Sequence, residues 1–171
     1  MSGQTSVSIF MGSKSDLSIL QFASDILKEF NITHNMFILS AHRTPEEVVK
    51  KIKESEANGV QVFIAAAGMA AHLAGAIAAQ TTKPVLGIPL GGGDLDGIDS
   101  LLATVQMPKG VPVATFAIGK SGAINAALCA VQILGTSSEE ISVQLSDYKI
   151  KMRDDVLSEN KSIQFFKKER G

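Results

Sequence analysis

Short apolar runs alternate with helical patterns through the first 134 residues, and glycine, proline or small polar residues separate them. Continuous short apolar runs are typical of buried strands, whereas apolar residues three or four positions apart are typical of helices. On this basis we predict strands at residues 7–11, 34–39, 60–66, 85–88 and 113–118. Helices are predicted at 17–30, from 44 to a stop at 58–59, from the small residues after 66 toward 80, at 98–105 and at 123–134.

This regular alternation predicts the fold class. Strands that alternate with helices form a parallel sheet, because each right-handed crossover lays a helix over one face. The run at residues 60–66 is apolar almost throughout, as in a strand that is covered on both faces. We therefore predict an α/β protein, a flavodoxin-like three-layer α/β/α sandwich with a five-stranded parallel sheet, as one domain over residues 1–135.

One predicted helix start carries a specific signature. Thr44 stands in the cap position, Pro45 in the first helical position, and Glu47 three residues after the cap. In a capping box the cap hydroxyl and the later carboxylate each accept a hydrogen bond from a free backbone N–H group. We therefore predict a capping box between Thr44 and Glu47.

Residues 136–171 are richer in charge and contain one further helical pattern. Apolar side chains on a single helix face recur at Ile141, Leu145, Tyr148, Met152 and Val156. They predict a helical extension of the same domain. The extension either folds back over its own domain or, as we expect, places its apolar stripe at a subunit interface.

Composition and charge narrow the function classes. Hydrophobic residues make up 45% of the 171 residues, and the net charge of −1 argues against a nucleic-acid partner. The start from Ser2 to Ser6 lacks the pattern of a secretory leader, and no apolar run reaches membrane-spanning length. We therefore expect a cytoplasmic protein with no membrane partner. Cys129 is the single cysteine, which excludes an intrachain disulfide and a cysteine metal cluster.

The loop after the first predicted strand is suited to an anionic ligand. Gly12-Ser13-Lys14-Ser15-Asp16 opens a helix, where backbone N–H groups and the helix dipole attract negative charge. It matches neither the Walker pattern nor the dinucleotide fingerprint. Asp16 would repel a phosphate placed on it, so its carboxylate either accepts bonds from sugar hydroxyls or caps the helix.

Two histidines follow predicted strands. His42 lies beside Arg43, whose guanidinium suits phosphate, and an imidazole with an ordinary pKa of about 6.5 can exchange a proton near neutrality. The pattern leaves open whether His42 is catalytic or structural. His72 either orients a ligand or caps the next helix, and His34 is interpreted as a surface or strand-partner residue. The three histidines share no metal-ligand spacing, so we expect no metal.

Several segments together resemble one family. They are Met11-Gly12-Ser13-Lys14-Ser15-Asp16, Ser40-Ala41-His42-Arg43-Thr44-Pro45, Ala70-Ala71-His72-Leu73, and residues 97–102 with 105–108. Their content and order are similar to those of class I N5-carboxyaminoimidazole ribonucleotide mutases, enzymes of purine biosynthesis. The resemblance extends over residues 7–134.

The resemblance implies an enzyme that moves a carboxylate from the exocyclic nitrogen of aminoimidazole ribonucleotide to ring carbon C4, by decarboxylation and recarboxylation in a closed site. It also implies a homo-octamer of flavodoxin-like subunits, active sites built partly from neighbouring subunits, and no metal or organic cofactor. Ser13 and Arg43 would bind the phosphate, Asp16 the ribose hydroxyls, and His42 would shuttle the proton. The expected substrate-binding set is completed by Ser40, Ala41, Gly68, Ala70, Ala71, His72 and Leu73.

The chain departs from the family's pattern at three places. Met69 stands where glycine is common, Ala74 replaces a proline, and residues 90–96 form an unusually glycine-rich loop. If position 69 requires a positive φ, methionine introduces strain, and if its side chain faces the pocket, it narrows the pocket.

Two alternative functions follow from the same residues. A sister enzyme would carboxylate aminoimidazole ribonucleotide directly with carbon dioxide, which residues 100–108 argue against and the glycine-rich loop leaves open. A non-catalytic module of this fold would bind a flavin or a phosphosugar.

Overall fold

The computed structural model describes residues 5–168, with side chains described through residue 163. The start of the stretch from Ser2 to Ser6 and the last three residues of the predicted extension lie outside the described residues. Within this described part of the chain, five parallel strands form one sheet in the order β2-β1-β3-β4-β5. They are β1 (Val7–Met11), β2 (His34–Ile38), β3 (Val62–Gly68), β4 (Val85–Leu90) and β5 (Ala114–Thr115). The flavodoxin-like fold class is confirmed.

Four strands differ from their predicted bounds. Strand β2 ends at Ile38 rather than at residue 39, and β4 continues to Leu90 rather than ending at residue 88. Val60 belongs to the turn before β3, since its N–H donates to the Ser55 carbonyl at 3.0 Å. The strand therefore begins at Val62 and continues to Gly68. At one edge of the sheet, β5 pairs with β4 at two positions only. The apolar run at residues 113–118 predicted a longer strand, but apolar character alone does not show how far a chain pairs with its neighbour.

The described residues also form six helices, which are α1 (Leu17–Glu29), α2 (Pro45–Ala57), α3 (Leu73–Ala78), α4 (Ile98–Val105), α5 (Lys120–Gly135) and α6 (Glu139–Lys168). A short 3-10 turn (Lys14–Asp16) precedes α1. On one face, α1 and α5 pack on the sheet around fully buried side chains such as Ile9, Leu20 and Ala126. On the other face, α2 and α3 enclose Phe10, Ile52 and Ile77. Burial of these two cores is the main stabilising term of the fold.

Helix α2 begins with Pro45 as predicted, but the capping box predicted at Thr44 and Glu47 is wrong. The Thr44 hydroxyl turns back into the preceding loop, where it accepts a bond from the Ser40 N–H at 2.9 Å and donates to the Ser40 carbonyl at 3.1 Å. Threonine readily makes such local bonds in turns. Thr44 therefore fixes the loop that carries the pocket residues.

Helix α6 contacts its own domain over its first turns only. Ile141, Leu145 and Tyr148 pack against the core formed by α1 and α5, and the Tyr148 ring lies 5.5 Å from that of Phe30. Farther along, Met152 is 53% exposed and Val156 63% exposed. The helix thus folds back over its own domain at one end and leaves an apolar face exposed at the other.

Among residues 5–168, no helix combines the length and the apolar character that a membrane crossing requires.

Candidate active site

A pocket of about 580 Å³ opens at the carboxyl ends of the strands. It lies where β1 is flanked by β2 on one side and β3 on the other, so the crossovers after β1 and β2 leave in opposite directions along the sheet. Open α/β sheets bind ligands at such switch points because the loops there diverge and leave a crevice. Loops after β1, β2, β3 and β4 line the pocket.

The loop after β1 is held by its own side chains. The Asp16 carboxylate accepts bonds from the Ser13 N–H at 2.9 Å and from the Ser15 hydroxyl at 3.1 Å. The Ser13 hydroxyl accepts a bond from the Ser15 N–H at 3.3 Å. Asp16 therefore has the capping role that the sequence left open. Each of its oxygens retains a second lone pair for a ligand hydroxyl.

The loop after β2 places Arg43 against the loop after β1. Its Nη2 donates to the Gly12 carbonyl at 2.6 Å, and its backbone N–H donates to the Ser40 hydroxyl at 3.3 Å. These bonds hold an exposed guanidinium beside the hydroxyls of Ser13 and Ser40. The arrangement combines a permanent positive charge with neutral donors, which suits a phosphate group.

A second, smaller cavity of about 310 Å³ adjoins the first at this place. The two cavities share four residues, Gly12, Ser13, Ser40 and Arg43, and the smaller one adds the exposed Lys14. Arg43 thus forms part of the boundary between them. Positive charge is concentrated on this side of the pocket.

The loop after β3 brings a second histidine to the first. His72 Nδ1 lies 3.1 Å from His42 Nε2, and the ring centroids are 5.0 Å apart. Both side chains are exposed to the pocket. The helix-capping role considered for His72 is wrong, since its ring bonds to His42 and α3 begins without a side-chain cap. Because one nitrogen must donate and the other accept, the tautomer of one ring determines that of the other.

Positive φ angles shape the same loop. Met69 has φ +52° and Ala71 has φ +38°, and the Ala71 N–H donates to the Gly68 carbonyl at 3.0 Å across the turn. Met69 is 64% exposed and lines the pocket. Both conditions raised by the sequence, a positive φ and a side chain toward the pocket, therefore hold. The glycine-rich loop after β4 also lines the pocket, through Gly91, Gly92 and Gly93.

All eleven residues predicted for the site line this one pocket: Ser13, Asp16, Ser40, Ala41, His42, Arg43, Gly68, Ala70, Ala71, His72 and Leu73. Leu73 is only 2% exposed, so its side chain serves the core as well. Gly12, Ser15 and Ala67 also line the pocket. The sequence analysis placed Gly12 and Ser15 in the loop suited to an anion, but the predicted set of site residues included none of the three. These three residues could have been predicted, because each directly adjoins a predicted site residue in the sequence.

His34 and Cys129, two other residues with side chains that can titrate, lie outside the residues that line the pocket. His34 bonds to the Ile32 carbonyl at 2.9 Å and to the Ser24 hydroxyl at 2.8 Å, so it joins β2 to α1. Cys129 is half-buried in α5, and burial raises the pKa of its thiol. Within the described chain, no group of three or more His, Cys, Asp or Glu residues is arranged to hold a metal ion.

Comparison with known proteins places the whole site region in one family. Residues 6–155 match the family described as AIR carboxylase. The N5-carboxyaminoimidazole ribonucleotide mutase of Escherichia coli (strain K12) is 51% identical over 151 residues, which cover 88% of this chain and 89% of that protein. The mutase of Saccharolobus solfataricus is 49% identical over 152 residues, 89% of this chain and 95% of that protein. The crystal structure of Treponema denticola PurE superposes with a TM-score of 0.83 at 28% identity, covering 91% of this chain and 96% of that chain.

Proposed function

This chain belongs to the AIR carboxylase family, and we propose that it is a mutase of purine biosynthesis that converts N5-carboxyaminoimidazole ribonucleotide to 4-carboxyaminoimidazole ribonucleotide. The observation that carries the proposal is the convergence of two chemical features on one pocket. Arg43 and the serine hydroxyls suit a phosphate, and the His42–His72 pair suits proton transfer.

We place the phosphate between Ser13 and Arg43, with Ser40 beside it. The guanidinium is already held by the Gly12 carbonyl, so little side-chain freedom is lost when an anion binds. The ribose hydroxyls lie at Asp16, whose carboxylate accepts bonds but repels a phosphate. This placement directs the aminoimidazole ring toward Ala70, Ala71 and the histidine pair.

The reaction needs one proton donated and one removed. When the N–CO₂ bond of the carbamate breaks, a proton is supplied to the departing nitrogen, which leaves carbon dioxide and neutral aminoimidazole ribonucleotide. Carbon C4 then attacks the carbon dioxide, and loss of the C4 proton restores the aromatic ring. We assign both transfers to His42, which acts first as acid and then as base.

The contact with His72 gives His42 a defined tautomer. If the proton between the two rings is on His72 Nδ1, the neutral His42 ring carries its own proton on Nδ1 and can donate it. If that proton is on His42 Nε2, Nδ1 of the neutral His42 ring is unprotonated and can accept a proton. The same imidazole can therefore act as the acid in one step and as the base in the other. Small residues at Gly68, Ala70 and Ala71 leave room for the ring and for carbon dioxide. Holding both fragments in one closed site corresponds to an effective molarity of about 10⁵ M or more.

We also propose a homo-octamer in the cytoplasm, with residues 136–171 at a subunit interface and neighbouring subunits completing the site. Supporting this assembly, α4 exposes Ile98, Leu102 and Val105 along one face, and α6 exposes Met152 and Val156. Exposed apolar side chains that share one helix face favour association. A cytoplasmic location agrees with a charged nucleotide substrate, which does not cross a bilayer unaided. Light scattering that gives a monomer mass at micromolar concentration would contradict the assembly.

Incubation of the purified enzyme with two separate substrates tests the function. One sample receives the carbamate, and the other receives aminoimidazole ribonucleotide with bicarbonate. We expect efficient formation of the 4-carboxy product from the carbamate. Efficient turnover in the second sample only would identify a direct carboxylase, and a purified protein with a flavin spectrum would point to a binding module.

A further inference from the structure

Met69 stands out among the residues that line the pocket. Of the lining residues described, it is the one large apolar side chain that remains mostly exposed, at 64%, whereas Leu73 is 2% exposed. Its Cγ would lie 3.6 Å from a Cβ added to Gly93. The Met69 side chain therefore extends from the loop after β3 to the loop after β4, across one edge of the pocket.

The backbone at Met69 is in the left-handed region, with φ +52°. A non-glycine residue is strained there because its Cβ approaches the backbone, whereas glycine adopts this region freely. Strain of this kind persists where the surrounding structure holds it, and it is concentrated at functional sites. The strain at Met69 therefore indicates a functional role for its side chain in the pocket.

Of the described residues of the facing loop, only glycines line the pocket. Gly91, Gly92 and Gly93 line the pocket, and a Cβ added to Gly92 would meet no described atom within 4 Å. Gly92 and Gly93 also have positive φ angles, +135° and +79°. This edge of the pocket is therefore open above the loop after β4, and Met69 is the side chain placed to close it.

We propose that Met69 is an apolar cover over the reacting end of the pocket, which retains carbon dioxide and excludes water between the two chemical steps. The inference rests on the proposed mutase function. Methionine suits the role because its unbranched thioether chain adapts to the shape beneath it. Water exclusion protects the intermediate and strengthens the electrostatic interactions around His42. The cover leaves phosphate binding at Arg43 unaffected.

Carbon dioxide retention can be measured with the carbamate labelled by ¹³C in its carboxylate, in a buffer of unlabelled bicarbonate. A product that forms without escape keeps the label, whereas escape gives unlabelled product and free aminoimidazole ribonucleotide. For Met69→Gly we expect loss of label to rise about threefold or more above the wild-type value. An enzyme-free sample corrects for spontaneous decarboxylation.

Two variants separate this role from a general effect on the fold. Met69→Leu keeps an apolar side chain and should hold label loss near the wild-type value. Leu95→Ala removes a similarly exposed apolar side chain, 62% exposed, that lies outside the lining residues of the described chain, and should leave label loss unchanged. Circular dichroism checks that each variant is folded. Equal label retention in Met69→Gly and wild type would overturn the proposal.

Failure of the proposed function gives a different result. A wild-type enzyme that uses only aminoimidazole ribonucleotide with bicarbonate is not a mutase, whatever Met69 does. The KM for carbon dioxide then replaces label retention as the test. It should rise in Met69→Gly by about threefold or more if Met69 covers the pocket. An unchanged KM would overturn the cover in that case.

Discussion

Replacement of Arg43 by alanine removes the positive charge that we place on the substrate phosphate. In the free enzyme Arg43 Nη2 donates to the Gly12 carbonyl at 2.6 Å, and the half-buried Gly12 carbonyl can take water instead after the substitution. The stability of the fold should therefore change little. The loss should be seen in nucleotide binding.

The size of that loss follows from the exposure of the site. A hydrogen bond to a charged group contributes about 1.5–3 kcal/mol, and water and salt screen an exposed pair. Arg43 is exposed in the described chain, so we take a value of about 2 kcal/mol, which corresponds to about a 30-fold rise in Kd. The effect should shrink at higher ionic strength.

Isothermal titration of the enzyme with aminoimidazole ribonucleotide, at low and high salt, measures this change. Arg43→Lys keeps the charge but loses the planar fork, so its Kd should lie between those of wild type and Arg43→Ala. Lys14→Ala is the matched control, because Lys14 lines only the smaller cavity and its removal should change Kd by less than about threefold. A Kd for Arg43→Ala within about twofold of wild type would exclude Arg43 as the phosphate ligand.

Three further predictions concern the strain at Met69 and the packing of α5. Met69→Gly should raise the free energy of unfolding, measured with urea, by about 1 kcal/mol. The reason is that the relief of the positive-φ strain exceeds the additional entropy that glycine loses on folding. A free energy of unfolding below that of the wild type would refute strain at Met69. Gly122→Ala should lower it by about 3 kcal/mol, because its Cβ would lie 1.7 Å from the Ala117 carbonyl oxygen, and wild-type stability would contradict this packing. Burial raises the pKa of the Cys129 thiol, so less thiolate is present in the folded protein. Iodoacetamide at pH 8 should therefore modify the native chain more slowly than the urea-unfolded chain. Equal rates of modification would refute the burial.

The sequence was most informative where one interaction dominates. Strand β1 (Val7–Met11) has its predicted bounds because a mainly apolar run ends at Gly12. Helix α4 (Ile98–Val105) also matches, since Gly97 precedes it with φ +94°. The length of strand β5 was overestimated because its apolar run does not reveal that the chain pairs with β4 at only two positions. Local patterns thus predict an element's type better than the extent of its pairing.

The pocket residues could be found together because most of them directly follow β1, β2 or β3. Parallel strands bring such loops to the same edge of the sheet. The contact between His42 and His72 could not be predicted, since the two residues are 30 positions apart and the turn at Gly68–Ala71 orients the second ring. At Thr44 the sequence pattern was misleading rather than missing. The capping signature was present, but the Thr44 hydroxyl bonds to Ser40 instead.

The most direct test is the initial rate at which the enzyme forms 4-carboxyaminoimidazole ribonucleotide from the carbamate, for wild type and for His42→Asn. Asparagine can neither donate nor accept the proton as imidazole does, so the rate should fall by about 10² or more while nucleotide affinity stays near the wild-type value. We predict that the wild-type enzyme converts the carbamate and that His42→Asn loses nearly all of this turnover. Turnover that persists in His42→Asn would remove His42 from the mechanism, and a wild-type enzyme inactive on the carbamate would contradict the mutase function itself.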